Sequence, residues 1–231
     1  MGVTEKNKMQ GINCINILDR CNKLLRGIVN LGSLPSKHNF FGLGSEKWHT
    51  LCCAMDLFDN TELAKKDYNE IGLSNSFLRL YGIANTFYLQ EGAIIELQKI
   101  IGIINKAEKK EFDNLNIMRF RHIIGSHTMN YNEHNKEYSA YMITASPFCL
   151  GDRFVQFCDK NTKFEKIDID DGLNEFNLFV ATKFLNVLKY LWEKQKDKDF
   201  EFGNNQKEIC CKELNDIEKF IMNNTYEKRD L

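Results

Sequence analysis

The sequence has little of what marks export, membrane insertion or metal binding. Its first residues, Met1–Lys6, are polar and lack the apolar core of a signal peptide. No apolar run reaches the roughly 18 residues that span a bilayer. The 8 cysteines include no Cys-x-x-Cys pair with the usual spacing of a zinc site. We therefore expect a cytoplasmic protein that keeps its thiols reduced and needs no metal and no cofactor.

Proline and net charge are scarce as well. Only 2 of the 231 residues are proline, and Leu, Ile, Lys and Glu are frequent, which favours helices over an all-β sandwich. The formal net charge of −1 excludes a protein that coats nucleic acid through a strong basic excess. An enzyme that acts on RNA from a local positive cleft is still compatible with this balance.

The spacing of apolar residues predicts one mainly α-helical domain over residues 1–231. Helical periodicity extends over residues 11–31, from Ser45 onwards, and over 74–105, 173–194 and 207–219. Asp59 or Asn60 is predicted to cap a separate helical turn after the helix that begins at Ser45. Between residues 138 and 170 apolar residues alternate instead, and this pattern predicts a small insertion of two or three antiparallel strands.

The helix predicted over residues 74–105 is apolar, with two kinds of exception. Gly82 and Gly92 lower its helix propensity, and we interpret them as sites where another helix approaches closely. Asn85, Gln90 and Glu91 are polar within this apolar helix. We expect them to find hydrogen-bond partners in the interior.

The segment Arg121–His127 is the strongest indication of chemistry in the chain. Arginine is a permanent cation whose planar fork fits phosphate oxygens. Histidine gives and takes protons near neutral pH. The two residues, six positions apart, are the minimum equipment for cleaving a phosphodiester without a metal. The alternative interpretation is a surface arginine and a hydrogen-bonded histidine on a structural helix.

This run resembles the R-x(4–6)-H signature of the HEPN ribonuclease superfamily, in which the residue after the arginine is usually Asn, His or Asp. His122 fits that position. Residues 56–64 and 80–93 are similar to segments of uncharacterised bacterial proteins of this kind, so the resemblance covers roughly residues 45–135. Tyr131 departs from the pattern of those HEPN toxins that carry a tyrosine two residues after the histidine, which puts the modification of that tyrosine in doubt.

The resemblance implies a helical bundle of HEPN type that acts on RNA as a homodimer, with an antitoxin or a defence-system protein as a further partner. His127 would be the general base or acid, Arg121 would stabilise charge on the phosphoryl oxygens, and His122 would hold the geometry. On a regular helix, side chains six residues apart point about 120° away from each other. Either the backbone bends at Gly125, or the arginine of one subunit faces the histidine of another across a two-fold axis.

Two functions from different classes follow. The first is a metal-independent endoribonuclease that cleaves RNA by 2′-hydroxyl transesterification, in phage defence or as a toxin. The second is a catalytically inactive helical interaction module that binds a protein or a nucleotide. In an enzyme, Arg121 and His127 are expected to line an open cleft. In an interaction module, they are expected to be buried in separate salt bridges or exposed far apart.

Overall fold

A computed structural model describes most of the protein, and helices dominate it. The described residues are 13–31, 43–70, 76–103, 108–125, 141–143, 154–159, 163–197 and 203–226. Within them the helices are α1 (Ile17–Asn30), α2 (Ser45–Glu70), α3 (Ser76–Ile101), α4 (Glu108–Asp113), α5 (Asn116–Gly125), α6 (Ile169–Glu193) and α7 (Gly203–Tyr226). The mainly α-helical prediction is confirmed, whereas a bundle of HEPN type stays a prediction.

The described strands all lie in the predicted insertion. They are β1 (Tyr141–Ile143), β2 (Phe154–Asp159) and β3 (Phe164–Asp168), and they form one antiparallel sheet in the order β1-β2-β3. Val155 pairs with Ile167 across β2 and β3, and both side chains are buried. Asp168 ends the sheet and caps α6, because its carboxylate accepts a hydrogen bond of 3.1 Å from the backbone N–H of Asp171.

Helix α6 forms the centre of the core. It contacts α1, α3, α5 and α7, and about half of its residues are buried. Its phenylalanines interlock with those of the surrounding helices, with ring centroids 4.9 Å apart in the pairs Phe58–Phe184 and Phe87–Phe176. Each such buried ring stabilises the fold by about 1.5–3 kcal/mol. The packing holds α3 and α5 in fixed positions, and these helices carry the candidate site.

Helix α2 continues through the point where a second cap was predicted, so that prediction is wrong. Asp59 lies in the middle of α2 rather than at its start. Its carboxylate accepts hydrogen bonds from Asn22 and Arg26 of α1, at 2.7 and 2.6 Å. A short acidic side chain favours a helix cap only when no better partner is available, and here the neighbouring helix supplies two.

Two predictions for α3 are also wrong. A Cβ atom added at Gly82 or Gly92 would meet no described atom within 4 Å, so none of the described helices approaches these glycines closely. Asn85 is exposed to solvent. The third expectation, that Gln90 finds a partner in the interior, is confirmed: its amide donates hydrogen bonds of 2.8 Å to Thr61 and to Glu62 of α2.

Gln90 belongs to a buried polar network between α2, α3 and α6. Lys65 Nζ donates to Glu62 Oε1 at 2.8 Å and to Asn177 Oδ1 at 2.7 Å, and all these side chains are almost fully buried. Burial lowers the pKa of Lys65, because the charged ammonium loses its hydration. The network fixes the register of the three helices, since one missing partner would leave a buried charge uncompensated.

The structure also bears on the expected state of the cysteines and on the expected lack of a membrane-spanning helix. The described cysteines are free thiols, and Cys149 lies outside the described residues. Burial raises the pKa of the Cys21 thiol, which favours the unreactive protonated form. Among the described helices, none combines the length and the apolar character needed to cross a bilayer.

Candidate functional site

Arg121 lies on α5, half-buried, with its guanidinium over an aromatic ring of α3. The guanidinium carbon is 4.3 Å from the ring centroid of Tyr88, which is a favourable cation–π contact. Tyr88 itself is 48% exposed, so the arginine is held against a ring at the surface. The contact exists because α3 and α5 pack against each other in the core.

His122 orients the arginine beside it. Arg121 Nη1 is 2.8 Å from His122 Nδ1. Since a guanidinium only donates hydrogen bonds, Nδ1 must accept, and the imidazole proton is then on Nε2. His122 Nε2 is 3.0 Å from Asp113 Oδ1 at the end of α4, so the Nε2–H group donates a hydrogen bond to the Asp113 carboxylate. The chain Asp113–His122–Arg121 thereby fixes the histidine tautomer and one edge of the guanidinium.

Arg121 differs from the other arginines whose side chains the structure describes. Each of those forms an ion pair with at least one carboxylate: Arg20 with Glu213, Arg26 with Asp56 and Asp59, and Arg119 with Glu165. The contacts of Arg121 among the described residues are to His122 and Tyr88, and neither is a carboxylate. Its charge is therefore the one in this group that a bound anion would neutralise.

Glu91 is a buried acid close to this arginine. Its side chain is only 4% exposed, and Lys109 Nζ lies 3.6 Å from Oε1. Oε1 has no hydrogen-bond partner in the described part of the chain. Burial raises the pKa of Glu91, while the positive charges of Lys109, Arg121 and His122 act in the opposite direction and Asp113 adds to the rise. Together with Arg121, His122, Asp113 and Lys109, Glu91 forms what we term the Arg121 cluster.

A cleft of about 400 Å³ opens beside the Arg121 cluster, between α2 and α3. Its walls are mostly apolar, with Ala54 and Leu57 from α2 and Gly92 and Ala93 from α3. Ala54, Gly92 and Ala93 have small side chains, and a Cβ added at Gly92 would meet no described atom within 4 Å. Glu91 and Lys109 of the Arg121 cluster also line the cleft, as does Tyr88, the ring that Arg121 contacts.

The structure brings together only part of the predicted site. Arg121 and His122 are in contact, as the resemblance requires of neighbours that act together. His127 lies outside the described residues, beyond the end of α5 at Gly125. His122 was expected to hold the geometry of the site. The structure gives it Arg121 and Asp113, and pairs Arg119 with Glu165 on β3.

Sequence reasoning missed four residues of the site: Glu91, Asp113, Lys109 and Tyr88. Glu91 was noted as a polar residue in an apolar helix, but its nearness to Arg121 could not be deduced from spacing. Asp113 and Tyr88 carried no signal, because an acid nine residues before a histidine and a tyrosine on another helix fit no periodic pattern. Only the packing of α3, α4 and α5 brings them to the arginine.

No family model, no curated protein and no solved structure matches this chain. The described residues contain no group of three or more His, Cys, Asp or Glu side chains placed to bind a metal ion. The site must therefore be interpreted from its own geometry: a cation without a carboxylate partner, an oriented histidine, a buried acid and an adjoining cleft.

Proposed function

We propose that the protein is an endoribonuclease of HEPN type that cleaves RNA without a metal, as a homodimer, in phage defence or as a toxin. The observation that carries the proposal is the state of Arg121, half-buried and without a carboxylate partner among the described residues. An arginine kept in one orientation, with no carboxylate in contact among the described residues, is suited to a phosphate group. The resemblance of Arg121–His127 to the HEPN signature supports RNA as the source of that phosphate.

The proposed reaction is a transesterification. The 2′-oxygen of the RNA attacks the adjacent phosphorus and its proton passes to a base, while the bond from phosphorus to the 5′-oxygen breaks and that oxygen takes up a proton. The products are a 2′,3′-cyclic phosphate and a 5′-hydroxyl. His127 is the proposed proton-transfer group. Arg121 stabilises the charge that builds on the phosphoryl oxygens.

His122 has a positioning role in this proposal. Its Nδ1 accepts from Arg121 and its Nε2 donates to Asp113, so both ring nitrogens are engaged. A histidine with both nitrogens in use holds a neighbour in place better than it exchanges protons with a substrate. This assignment leaves proton transfer to His127, as the resemblance implies.

The test is incubation with total RNA in EDTA, with Arg121→Ala compared with Arg119→Ala. Both arginines lie on α5, but Arg119 is neutralised by Glu165. Arg121→Ala is expected to slow cleavage by about 10²–10³-fold, the usual loss for one group that stabilises transition-state charge. Arg119→Ala is expected to keep the wild-type rate. Arg121→Lys should not restore activity, because an ammonium lacks the two-pronged contact.

Three results would contradict the proposal. Wild-type protein that leaves structured and single-stranded RNA intact would favour the interaction module. Equal cleavage by wild type and by an Arg121→Ala/His127→Ala double variant would indicate a contaminating nuclease. Equal losses in Arg119→Ala and Arg121→Ala would show that the missing carboxylate partner has no bearing on activity.

A further inference from the structure

The cleft between α2 and α3 contains an acid that the proposed reaction does not use. Glu91 lines the cleft, and its buried Oε1 has no hydrogen-bond partner among the described residues. A buried polar atom without a partner is unfavourable by about 1–3 kcal/mol. On a residue that lines a cleft of about 400 Å³, a size typical of ligand sites, such an atom indicates a ligand that donates hydrogen bonds.

From this we infer that the cleft binds a guanine base of the RNA whose phosphate contacts Arg121, with Glu91 accepting hydrogen bonds from the base. The inference rests on the proposed function for its substrate and adds a base specificity to it. Guanine presents a ring N–H and an amino group side by side, and a carboxylate accepts from both at once. Adenine and cytosine present one donor next to an acceptor, which a carboxylate would repel.

The charges in and around the cleft indicate where the base and the phosphate of the nucleotide would bind. Glu91 and Glu96 both line it, so two carboxylates would oppose an anion inside. Lys109 lies 3.6 Å from Glu91 and favours the carboxylate form. The cation without a carboxylate partner, Arg121, is outside the cleft lining. A phosphate is therefore expected at Arg121 and an uncharged base in the cleft.

Tyr88 connects the two positions. Arg121 lies over its ring at 4.3 Å, and the same side chain lines the cleft. An exposed aromatic ring is a common stacking surface for an unpaired base. A base beside Tyr88 and a phosphate at Arg121 would thus contact the same side chain, as parts of a single nucleotide can. Rotation of the Glu91 carboxyl about its last bond, a soft torsion, turns an oxygen towards the base.

Gly92 offers a substitution that fills the cleft without crowding the core. It lines the cleft, and a Cβ there meets no described atom within 4 Å. Gly82 is the matched control, because it lies on the same helix with the same free space and is absent from the cleft lining. Gly92→Leu is expected to block the base, and Gly82→Leu is expected to leave binding unchanged.

The experiment measures binding of guanosine 3′-monophosphate and adenosine 3′-monophosphate by calorimetry, with circular dichroism to check folding. Wild type is expected to bind the guanosine nucleotide about tenfold more tightly, the span of one good bidentate contact. Glu91→Gln should abolish the preference, since an amide offers a donor where the carboxylate accepts. Gly92→Leu should remove binding, and Gly82→Leu should retain it.

Equal binding of the two nucleotides by wild type, or binding that survives Gly92→Leu unchanged, would overturn the inference whether or not the protein cleaves RNA. A second experiment measures cleavage of an RNA oligonucleotide that contains a single guanosine. Cleavage at that guanosine in wild type, lost in Glu91→Gln, supports the inference that the base in the cleft belongs to the RNA substrate. Cleavage at positions unrelated to the guanosine overturns that inference. Guanosine nucleotide bound in the cleft by a protein that leaves RNA intact would contradict the nuclease proposal and not the guanine site.

Discussion

Alanine at Gly82 or Gly92 should make the protein more stable, although both glycines lie in a long helix of the core. Both are well inside α3: Gly82 is six residues after its first residue, Ser76, and Gly92 is nine residues before its last, Ile101. Glycine in a helix interior is unfavourable by about 0.5–1 kcal/mol relative to alanine, because it loses more backbone freedom on folding. Since no described atom lies within 4 Å of the added Cβ at either position, no steric term offsets this gain.

The expected effect is therefore a rise in the free energy of unfolding of about 0.5–1 kcal/mol for each variant. For a domain of this size, 1 kcal/mol corresponds to about 2–4 °C in Tm. The two sites are ten residues apart on one helix, or about 15 Å, so the double variant should show the sum of the two effects. Urea unfolding followed by circular dichroism, with a thermal scan beside it, measures all three variants.

A fall in Tm for either alanine variant would refute this reasoning. Overpacking typically lowers stability by about 1–3 kcal/mol, and that result would mean that another element does approach the glycine, as the sequence suggested. Substitution at Gly92 also separates an effect on stability from an effect on nucleotide binding. Gly92→Leu should fold at least as well as wild type and yet lose the nucleotide, a combination that global damage to the protein cannot produce.

Two further predictions concern buried charges. Burial holds the pKa of Glu91 above its ordinary value of 4.5, so the free-energy cost of burying a charged carboxylate is absent below about pH 4 and present near pH 7. The free energy of unfolding of Glu91→Gln, relative to that of wild type, should therefore rise over that range. A flat or falling difference in urea unfolding would contradict this expectation. Lys65→Met should lower the free energy of unfolding by about 3–5 kcal/mol, because Glu62 keeps a buried charge without its cation. Adding Glu62→Gln should recover part of the loss, and a double variant no more stable than the single one would show that the charge of Glu62 is not the cause.

The elements that depend on neighbours along the chain could be predicted from the amino-acid sequence. The stripe Cys14, Leu18, Cys21, Leu25 and Ile28 predicted α1. The last four side chains are fully buried, whereas Cys14 precedes the helix and is half-buried. Alternation over residues 138–170 predicted two or three antiparallel strands, and the described strands all lie within that range. These signals are local because helical and strand periods repeat within a few residues.

Which glycine is closely packed, and which arginine lacks a carboxylate partner, depends on contacts between residues that are distant in the sequence. Gly172, which the sequence did not single out, is where a Cβ would come within 3.0 Å of Ile117, while Gly82 and Gly92 have free space. Arg20 is neutralised by a glutamate 193 residues away and Arg119 by one 46 residues away, whereas Arg121 has no carboxylate partner among the described residues. Pairing and close approach join residues distant in sequence, and local periodicity carries no information about them. The candidate site is therefore a product of how α3, α4 and α5 pack.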